Sequence, residues 1–243
     1  MNPLIAYSVM VLAILIGGGS FFVFGAFLVA GPFTIFRLNI SEPQALLLDG
    51  FLSVVFFLQH SGMIRSSFRT WLSSTIPAHY YSATYAIASG TALTAVVLFW
   101  QPSNTILFEM QGLPALLLHA AFLLAIAGSM WGIWALKAFD PFGRSSIAAR
   151  LDSKQPQAPR FTVRGPYLWV RHPLYFFMLV LVWATPAMST DRLLFNVLWT
   201  AWLALGSYLE ERDLVAEFGD TYRHYQNTVP MLVPWRGSVG PER

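Results

Sequence analysis

The sequence predicts an all-α, polytopic integral membrane protein with about six transmembrane helices, of which the last two form a C-terminal helical hairpin followed by a cytoplasmic tail. Of the 243 residues, 56% are hydrophobic and only 11% are charged, whereas an ordinary soluble domain has about 25% charged residues. Apolar runs near the length of a membrane span recur along the chain. Basic residues are concentrated in alternate connections between these runs, as in membrane proteins.

Six apolar stretches are the candidate spans. The first four are long enough to cross about 30 Å of hydrocarbon at a rise of about 1.5 Å per residue. The last two are shorter, and the Pro186-containing turn between them predicts a tight hairpin that need not reach the far surface. The N-terminus lacks the positive region of a signal peptide, so we interpret the first stretch as a retained span. The stretches are Leu4–Ala30, Ala45–Met63, Tyr80–Trp100, Gly112–Leu136, Leu174–Met188 and Leu193–Leu209.

The distribution of Lys and Arg predicts the orientation of these spans. Thirteen of the 15 lie after the second stretch, between the fourth and fifth, or after the sixth. Only Arg37 and Arg192 lie in the other connections. The positive-inside rule therefore puts the thirteen, and both termini, in the cytoplasm. The polar segments 59–69, 137–173 and 210–235 are then expected at one cytoplasmic face.

Several classes of site are disfavoured by composition. The chain has no cysteine, and its five histidines show no metal-ligand spacing such as HExxH, so we expect no metal site. The basic residues form no stripe interleaved with aromatic residues, so the net charge of +3 indicates cytoplasmic loops and no nucleic-acid partner. The expected environment is the lipid bilayer.

The fifth stretch opens with Arg171, His172 and Pro173. Proline suits the first turn of a helix, where its missing N–H costs nothing. The two basic side chains would then lie beside the free N–H groups and the positive end of the helix dipole. The arrangement predicts an anion site. The alternative is that both side chains only extend to lipid headgroups.

The sixth stretch closes with Glu210 and Glu211. Two adjacent carboxylates are costly next to hydrocarbon, and the helix dipole disfavours anions at this end. A cationic partner would offset both costs, so the pair predicts a cation site. The alternative is a solvated cap paired with Arg212.

The predicted hairpin brings the anion site and the cation site together at the cytoplasmic ends of its two helices, which form the mouth of the site. Tyr167, Tyr175, Tyr222 and Tyr225 are expected around it. Such a mouth fits a zwitterionic amino acid attached to an aromatic base. S-adenosylmethionine is a molecule of this kind, and its sulfonium is favoured by carboxylates and aromatic faces.

These residues belong to a longer pattern that resembles the C-terminal signature of the isoprenylcysteine carboxyl methyltransferase superfamily, which includes phospholipid methyltransferases. The pattern comprises Gly165-Pro166-Tyr167, Arg171-His172-Pro173-Leu174-Tyr175, Glu210-Glu211, Phe218-Gly219, Tyr222, Tyr225 and Val229-Pro230. The resemblance implies methyl transfer from S-adenosylmethionine within the membrane. The cofactor-binding residues that it implies are Gly165, Tyr167, Arg171, His172, Pro173, Tyr175, Glu210, Glu211, Tyr222 and Tyr225.

A second pattern extends the likeness over most of the chain and resembles bacterial methanethiol S-methyltransferases and their nitrite-reduction-associated relatives. It includes Leu58-Gln59-His60-Ser61, Met63, Arg65, Tyr85, Phe99-Trp100-Gln101, Asp140-Pro141-Phe142-Gly143 and Trp183-Ala184-Thr185-Pro186. The resemblance implies a bacterial inner-membrane enzyme that methylates a small thiol, such as methanethiol to dimethyl sulfide. Ile64 and Tyr80-Tyr81 depart from the pattern at positions that bear on the substrate pocket.

The acceptor would need a base, because a thiol reacts as its thiolate. His60 is the candidate, and we predict His60 and Arg171 as catalytic residues, with Gln59, Ser61 and Tyr85 binding the substrate. The alternative for His60 is a hydrogen-bonded packing role between helices. The polar segment Ser153–Pro159 predicts a linker, so residues 1–152 would form the substrate side and residues 153–243 the cofactor side.

Two other functions stay open at this point. One is the same chemistry on a lipophilic acceptor, such as an isoprenylcysteine carboxylate or a phospholipid amine. The other is a non-enzymatic membrane transport or assembly protein. The latter is disfavoured because no span centre holds the chain of ionisable residues that marks ion or proton pathways.

Overall fold

A computed structural model describes residues 2–136, 140–152 and 161–235. Four of its helical segments are long and apolar enough to cross a membrane, which confirms a mainly helical, polytopic membrane protein. They match the first four predicted stretches, whereas a total of six spans stays a prediction. The four segments are Pro3–Ala30, Glu42–Ile64, Ala78–Phe99 and Leu113–Ala135.

The described residues form two compact units. One unit holds residues 2–104 and 140–152, and the other holds residues 105–136 and 161–235. The segment predicted as a linker, Ser153–Pro159, lies outside the described residues. The predicted division of substrate and cofactor roles near residue 152 stays a prediction.

The first unit is built mainly from three membrane-length helical segments. Small residues let the first segment approach α5 (Tyr81–Phe99) closely, because a Cβ on Gly90 would lie only 2.8 Å from the Cα of Gly17. Close contact through small residues is typical of membrane helices. The elements are α1 (Pro3–Leu12), a π-helical stretch (Ala13–Gly18), α2 (Gly19–Ala30), α3 (Glu42–Ile64), α4 (Ser66–Leu72), a 3₁₀ turn (Ala78–Tyr80), α5 (Tyr81–Phe99) and α7 (Arg144–Leu151).

Two carboxylates fix helix ends in this unit. Asp49 of α3 is fully buried and accepts a hydrogen bond of 2.9 Å from the N–H of Gln101, just beyond α5. Asp140 accepts from the N–H groups of Arg144 (2.9 Å) and Ser145 (2.7 Å). Since the first N–H groups of a helix have no partner within it, Asp140 stabilises the start of α7.

The second unit contains the helical pair that carries the C-terminal sequence pattern. Gly128 and Gly132 lie one turn apart on α6 (Leu113–Ala135), and α8 (Pro173–Trp183) packs against them. A Cβ on these glycines would come within 2.3 Å of Phe177 and 2.7 Å of Leu174 on α8. The two glycines therefore allow α6 and α8 to pack closely. The elements are β1 (Ile106–Glu109), α6 (Leu113–Ala135), a 3₁₀ turn (Gly165–Leu168), α8 (Pro173–Trp183), β2 (Ala187–Ser189), α9 (Thr190–Phe218) and α10 (Asp220–Thr228).

The helix in the fifth predicted stretch is shorter than expected. α8 ends at Trp183, not Met188, and its 11 residues cover only about 16 Å. Pro186 cannot continue the helix, and its carbonyl instead accepts from the N–H of Met110 (2.8 Å). Residues predicted as a turn form β2, which pairs antiparallel with β1. The mainly helical fold therefore includes a small two-stranded sheet.

Arg192 stabilises the end of α8. It lies in the first turn of α9, is 7% exposed, and donates from Nη2 to the carbonyl of Val182 at 3.2 Å. The last carbonyls of a helix have no partner within it, so this arginine supplies a donor. Arg192, one of the two basic residues outside the predicted cytoplasmic loops, thus contributes to the hairpin itself.

Candidate functional site

Arg171 and Glu211 form an ion pair across the helical hairpin. Arg171 lies just before α8, and Glu211 lies in the C-terminal part of α9. Arg171 Nε is 2.5 Å from Glu211 Oε1, and Nη2 is 3.0 Å from Oε2, a bidentate arrangement. Their side chains are 9% and 10% exposed. The hairpin therefore brings the predicted anion-binding and cation-binding residues together, and they bind each other.

Arg171 also holds the segment that follows α10. Its Nη1 donates to the backbone carbonyls of Gln226 (2.8 Å) and Val229 (2.5 Å). The backbone N–H of Arg171 donates to the carbonyl of Pro230 at 2.9 Å. Carbonyls at the end of a helix need donors from outside it. The Val229-Pro230 part of the sequence pattern is thus held against the start of α8.

Glu211 is surrounded by donors besides Arg171. Gln226 Nε2 donates to its Oε2 at 2.9 Å, Tyr222 Oη donates to Oε1 at 3.5 Å, and His172 Nε2 lies 3.3 Å from Oε1. Burial raises the pKa of the Glu211 carboxyl, but hydrogen bonds from His172, Arg171 and Gln226 outweigh burial and lower that pKa to about 2. Glu211 is therefore ionised at neutral pH, with protein donors at both oxygens.

His172 connects the two adjacent glutamates. While its Nε2 faces Glu211, its Nδ1 lies 3.6 Å from Glu210 Oε2. The His172 side chain is 5% exposed and that of Glu210 is 47% exposed. The Tyr175 ring stacks on the imidazole with 5.4 Å between centroids. Glu210 thus offers a solvent-accessible carboxylate at the edge of the cluster.

The other predicted tyrosines hold α10 in place. Tyr222 and Tyr225 are 2% and 7% exposed and pack around Phe161, and Tyr225 Oη donates to the carbonyl of Tyr167 at 2.6 Å. Burial raises the pKa of the Tyr222 and Tyr225 hydroxyls above the usual range for phenols. Both hydroxyls therefore stay protonated and act as donors. Their cofactor contacts stay a prediction.

Two glycines and a proline set the path of the chain around the cluster. Gly165 has a φ of +55° and begins the 3₁₀ turn, and a Cβ there would lie 3.0 Å from Trp131 Nε1. Gly219 has a φ of +57° and lets α10 turn back from the end of α9. Only glycine adopts such a conformation readily. Pro173 opens α8 as predicted. Direct cofactor contacts of Gly165 and Pro173 stay a prediction.

An open pocket of about 290 Å³ adjoins Glu211. Its lining offers an exposed aromatic ring, since Tyr208 is 57% exposed, and charged groups of both signs. These are the groups that a zwitterion attached to an aromatic base requires. Because Glu211 already pairs with Arg171, the carboxylate that fits the ammonium group of S-adenosylmethionine is that of Glu210 at the edge of the cluster. The pocket is lined by Tyr208, Glu211, Arg212, Val215 and Gln226.

The predicted acceptor residues lie in the first unit. Tyr85 Oη is 2.8 Å from Nε2 and 3.1 Å from Nδ1 of His60. Gln59 Nε2 lies 3.4 Å from Ser89 Oγ, and Ser61 is half-buried on the same helix, α3. Gln59, His60 and Tyr85, together with Ser89, therefore form one polar cluster between α3 and α5. Arg171, also predicted as catalytic, belongs to the second unit.

Three residues of these clusters are absent from the sequence-based prediction. Tyr208 precedes Glu211 by three residues, Gln226 follows Tyr222 by four, and Ser89 follows Tyr85 by four. Residues at these spacings share a helix face, so helical spacing could have found them.

Across residues 2–136, 140–152 and 161–235, no three or more His, Asp or Glu side chains are grouped to hold a metal ion.

The chain is similar to characterised proteins over most of its length. It is 36% identical over 206 residues to the methanethiol S-methyltransferase of Pseudomonas sp. (strain GM41(2012)), covering 83% of this chain and 78% of that protein. It is 32% identical to the methanethiol S-methyltransferase of Mycobacterium tuberculosis, covering 79% of each. Nurim of Rattus norvegicus is more distant, at 26% identity over 67% of this chain and 65% of Nurim.

The comparisons confirm the resemblance found in the sequence patterns. No protein-family model matches the chain, and no solved structure matches it. The identity to the Pseudomonas and Mycobacterium proteins nevertheless extends over about four fifths of the sequence. The chain therefore belongs to the methanethiol S-methyltransferase family.

Proposed function

We propose that this membrane methyltransferase transfers a methyl group from S-adenosylmethionine to the sulfur of methanethiol, giving dimethyl sulfide. The observation that carries the proposal is the 36% identity to a methanethiol S-methyltransferase over 83% of the chain. The cluster of Arg171, His172, Glu210 and Glu211 supports it, because charged groups of both signs meet there beside aromatic rings.

Different residues around this cluster would bind different groups of the cofactor. Glu210, with 47% of its side chain exposed, would bind the ammonium group, and Tyr175 and Tyr208 would offer aromatic faces. Arg171 and Glu211 already neutralise each other, so we assign them to positioning the site, in place of direct catalysis by Arg171. S-adenosylmethionine would supply an activated methyl group on a sulfonium.

The chain's own task in the reaction is to orient the acceptor, exclude water and remove a proton. Methyl transfer requires the nucleophile in line with the methyl carbon. A thiol must also lose its proton, because the thiolate is the nucleophile. His60 would take that proton, and the apolar spans around it would limit access of water.

We also propose that the chain is a bacterial inner-membrane protein with six spans, of which the hairpin helices are the last two. Both termini and the Arg171–Glu211 cluster would then be cytoplasmic. The support is the location of thirteen basic residues in alternate connections. Attaching a reporter to each terminus, and reading cytoplasmic against periplasmic activity, tests this orientation.

The experiment that tests the function measures binding and product together. Purified protein in detergent should bind S-adenosylmethionine and its demethylated product, and it should release dimethyl sulfide when given methanethiol. No binding of either nucleotide would overturn the proposal. Binding without dimethyl sulfide, but with methyl transfer to a prenylated cysteine or a phospholipid amine, would support the lipophilic acceptor instead.

A further inference from the structure

A polar cluster lies inside the apolar part of the first unit. His60 is four residues before the end of α3 and Tyr85 four residues after the start of α5, so both lie about 6 Å inside their helices. Ser89 is one turn deeper on α5 and 8% exposed. Polar groups at such depth in membrane helices are costly unless they serve contacts or chemistry.

One atom of this cluster lacks a hydrogen-bond partner. The amide Nε2 of Gln59 lies 3.4 Å from Ser89 Oγ and also contacts Met63 Sδ. The amide Oε1 is buried and has no partner among the residues that the structure describes. An unsatisfied buried acceptor costs free energy. Packing of α3 against α5 does not explain why Gln59 Oε1 is left unsatisfied. A ligand that donates a hydrogen bond to this oxygen would complete the hydrogen bonds of the amide.

The chemistry of the cluster selects the kind of ligand. Gln59, Tyr85 and Ser89 are neutral, and a neutral His60 offers one donor and one acceptor. Phe56 and Met63 add an apolar wall, with the Phe56 ring 5.2 Å from the His60 ring and Met63 8% exposed. A carboxylate or ammonium would find no opposite charge in these residues. A small neutral molecule with one weak donor, such as a thiol, matches them.

We propose that Gln59, His60, Tyr85 and Ser89 form the binding site of the methyl acceptor, a small neutral thiol; this rests on the proposed function. Gln59 Oε1 receives the S–H of the arriving thiol. Tyr85 Oη lies within hydrogen-bond distance of both ring nitrogens of His60; it accepts from the N–H of the neutral imidazole and holds the ring while the unprotonated nitrogen takes up the proton. Tyr85 is thus a positioning residue, and Ser89 is an acceptor-site residue that the sequence patterns do not identify.

The proton and electron pairs of the transfer balance in this site. For transfer, the S–H of the acceptor turns from Gln59 Oε1 to His60, its bond breaks, and its proton passes to a ring nitrogen of His60. A sulfur electron pair forms the new bond to the methyl carbon. The bond from that carbon to the donor's sulfonium breaks, and its electron pair stays on the donor sulfur as a neutral thioether.

The absence of cysteine from the chain permits a direct test with methyl methanethiosulfonate, which attaches a CH₃S group to a thiol. In S89C this group would occupy the acceptor site. We expect modification to lower dimethyl sulfide production by about tenfold or more, with unchanged binding of S-adenosylmethionine. The matched control is T91C, because Thr91 is an exposed hydroxyl residue on the same helix; its modification should change neither activity nor binding.

Each outcome decides between the proposals. Failure of the unmodified protein to produce dimethyl sulfide would overturn the proposed function. If that protein is active, an S89C variant that resists the reagent, or keeps its turnover after modification, overturns the acceptor site alone. Dimethyl sulfide should also slow modification of S89C but not of T91C.

A second variant covers the case in which S89C does not fold. Tyr85→Phe removes only the hydroxyl, so it should lower kcat by about tenfold, shift the pH profile of kcat, and leave KM and cofactor affinity unchanged. A purely structural Tyr85 would instead reduce cofactor binding and activity together without moving the pH profile, and that result would overturn its positioning role.

Discussion

Arg171 donates hydrogen bonds to both carboxylate oxygens of Glu211, with Nε 2.5 Å from Oε1 and Nη2 3.0 Å from Oε2, although the two residues are 40 positions apart in the sequence. The same guanidinium donates to two carbonyls at the end of α10. One side chain therefore joins the start of α8, the end of α9 and the end of α10. Loss of this arginine would leave the buried carboxylate without its cationic partner and would remove the donor that these two carbonyls share.

Arg171→Ala should destabilise the protein strongly. Breaking a buried pair by removing one partner costs about 3–5 kcal/mol, because the remaining charge is left uncompensated. Arg171→Lys should recover only part of this loss, since an ammonium cannot form the bidentate contact. The measurement is the thermal unfolding midpoint in detergent, together with binding of S-adenosylmethionine.

Arg223→Ala is the control for the loss of one arginine. Arg223 pairs with Asp220 on the exposed side of α10, and their side chains are 60% and 97% exposed. Such surface pairs contribute at most about 1 kcal/mol, so the midpoint should hardly move. Equal effects of the changes at positions 171 and 223 would contradict the importance of the buried pair.

The stability of the folded protein should depend on pH through the ionisation of Glu211. Burial opposes ionisation, but donors from His172, Arg171 and Gln226 lower the Glu211 pKa from 4.5 to about 2. A group with a lowered pKa in the folded state stabilises that state above its unfolded-state pKa. The contribution of Glu211 should therefore be complete above about pH 4.5 and disappear as the pH falls toward 2.

Glu211→Gln is the comparison for this pH effect. The variant should be less stable at neutral pH, and the difference from the unaltered protein should shrink as the pH falls below 4.5. Unfolding midpoints between pH 7 and the lowest pH at which the detergent-solubilised protein stays soluble provide the measurement. A difference that is constant with pH would mean that the carboxylate of Glu211 is not the stabilising species.

The two adjacent glutamates should behave differently towards the cofactor. Glu210 is half-exposed with one long contact to His172, whereas Glu211 is saturated by protein donors. Glu210→Gln should weaken binding of S-adenosylmethionine by about 10- to 100-fold, the effect of one hydrogen bond to a charged group of about 1.5–3 kcal/mol, with an unchanged unfolding midpoint. Isothermal titration in detergent and thermal unfolding measure the two effects. Unchanged affinity in Glu210→Gln would refute its assignment to the ammonium group.

Much of this architecture is predictable because it depends on regular spacing. Continuous apolar runs identify the first four spans, and Pro173 marks the start of α8. Side-chain partners depend on three-dimensional geometry that spacing does not contain. Complementary charges indicate that Arg171 and Glu211 meet, but not that they satisfy each other and leave Glu210 available.

The small sheet is harder to predict for a similar reason. Strand β2 has three residues, too few to show an alternating pattern. Its partner β1 comes from a connection 78 or more residues earlier in the chain. Pro186 correctly predicts that a helix cannot continue through it, but not that its carbonyl accepts a hydrogen bond from Met110.

Gly128 should be intolerant of even one added methyl group. A Cβ there would lie 2.3 Å from Cε1 of Phe177, so Gly128→Ala must displace an aromatic ring at the contact of α6 with α8. Overpacking of this kind costs about 1–3 kcal/mol. Gly206→Ala is the control, because no atom lies within 4 Å of its added Cβ; there the better helix propensity of alanine should stabilise α9 by up to about 1 kcal/mol.

A compensating change separates crowding from other effects of the Gly128 substitution. Phe177→Leu shortens the side chain that the new methyl group would meet, so the double variant should recover part of the lost stability despite two individually destabilising changes. Thermal unfolding midpoints of the two single variants and the double variant give the coupling directly. Strictly additive losses would mean that the two residues do not contact each other closely, contrary to the packing of α6 against α8.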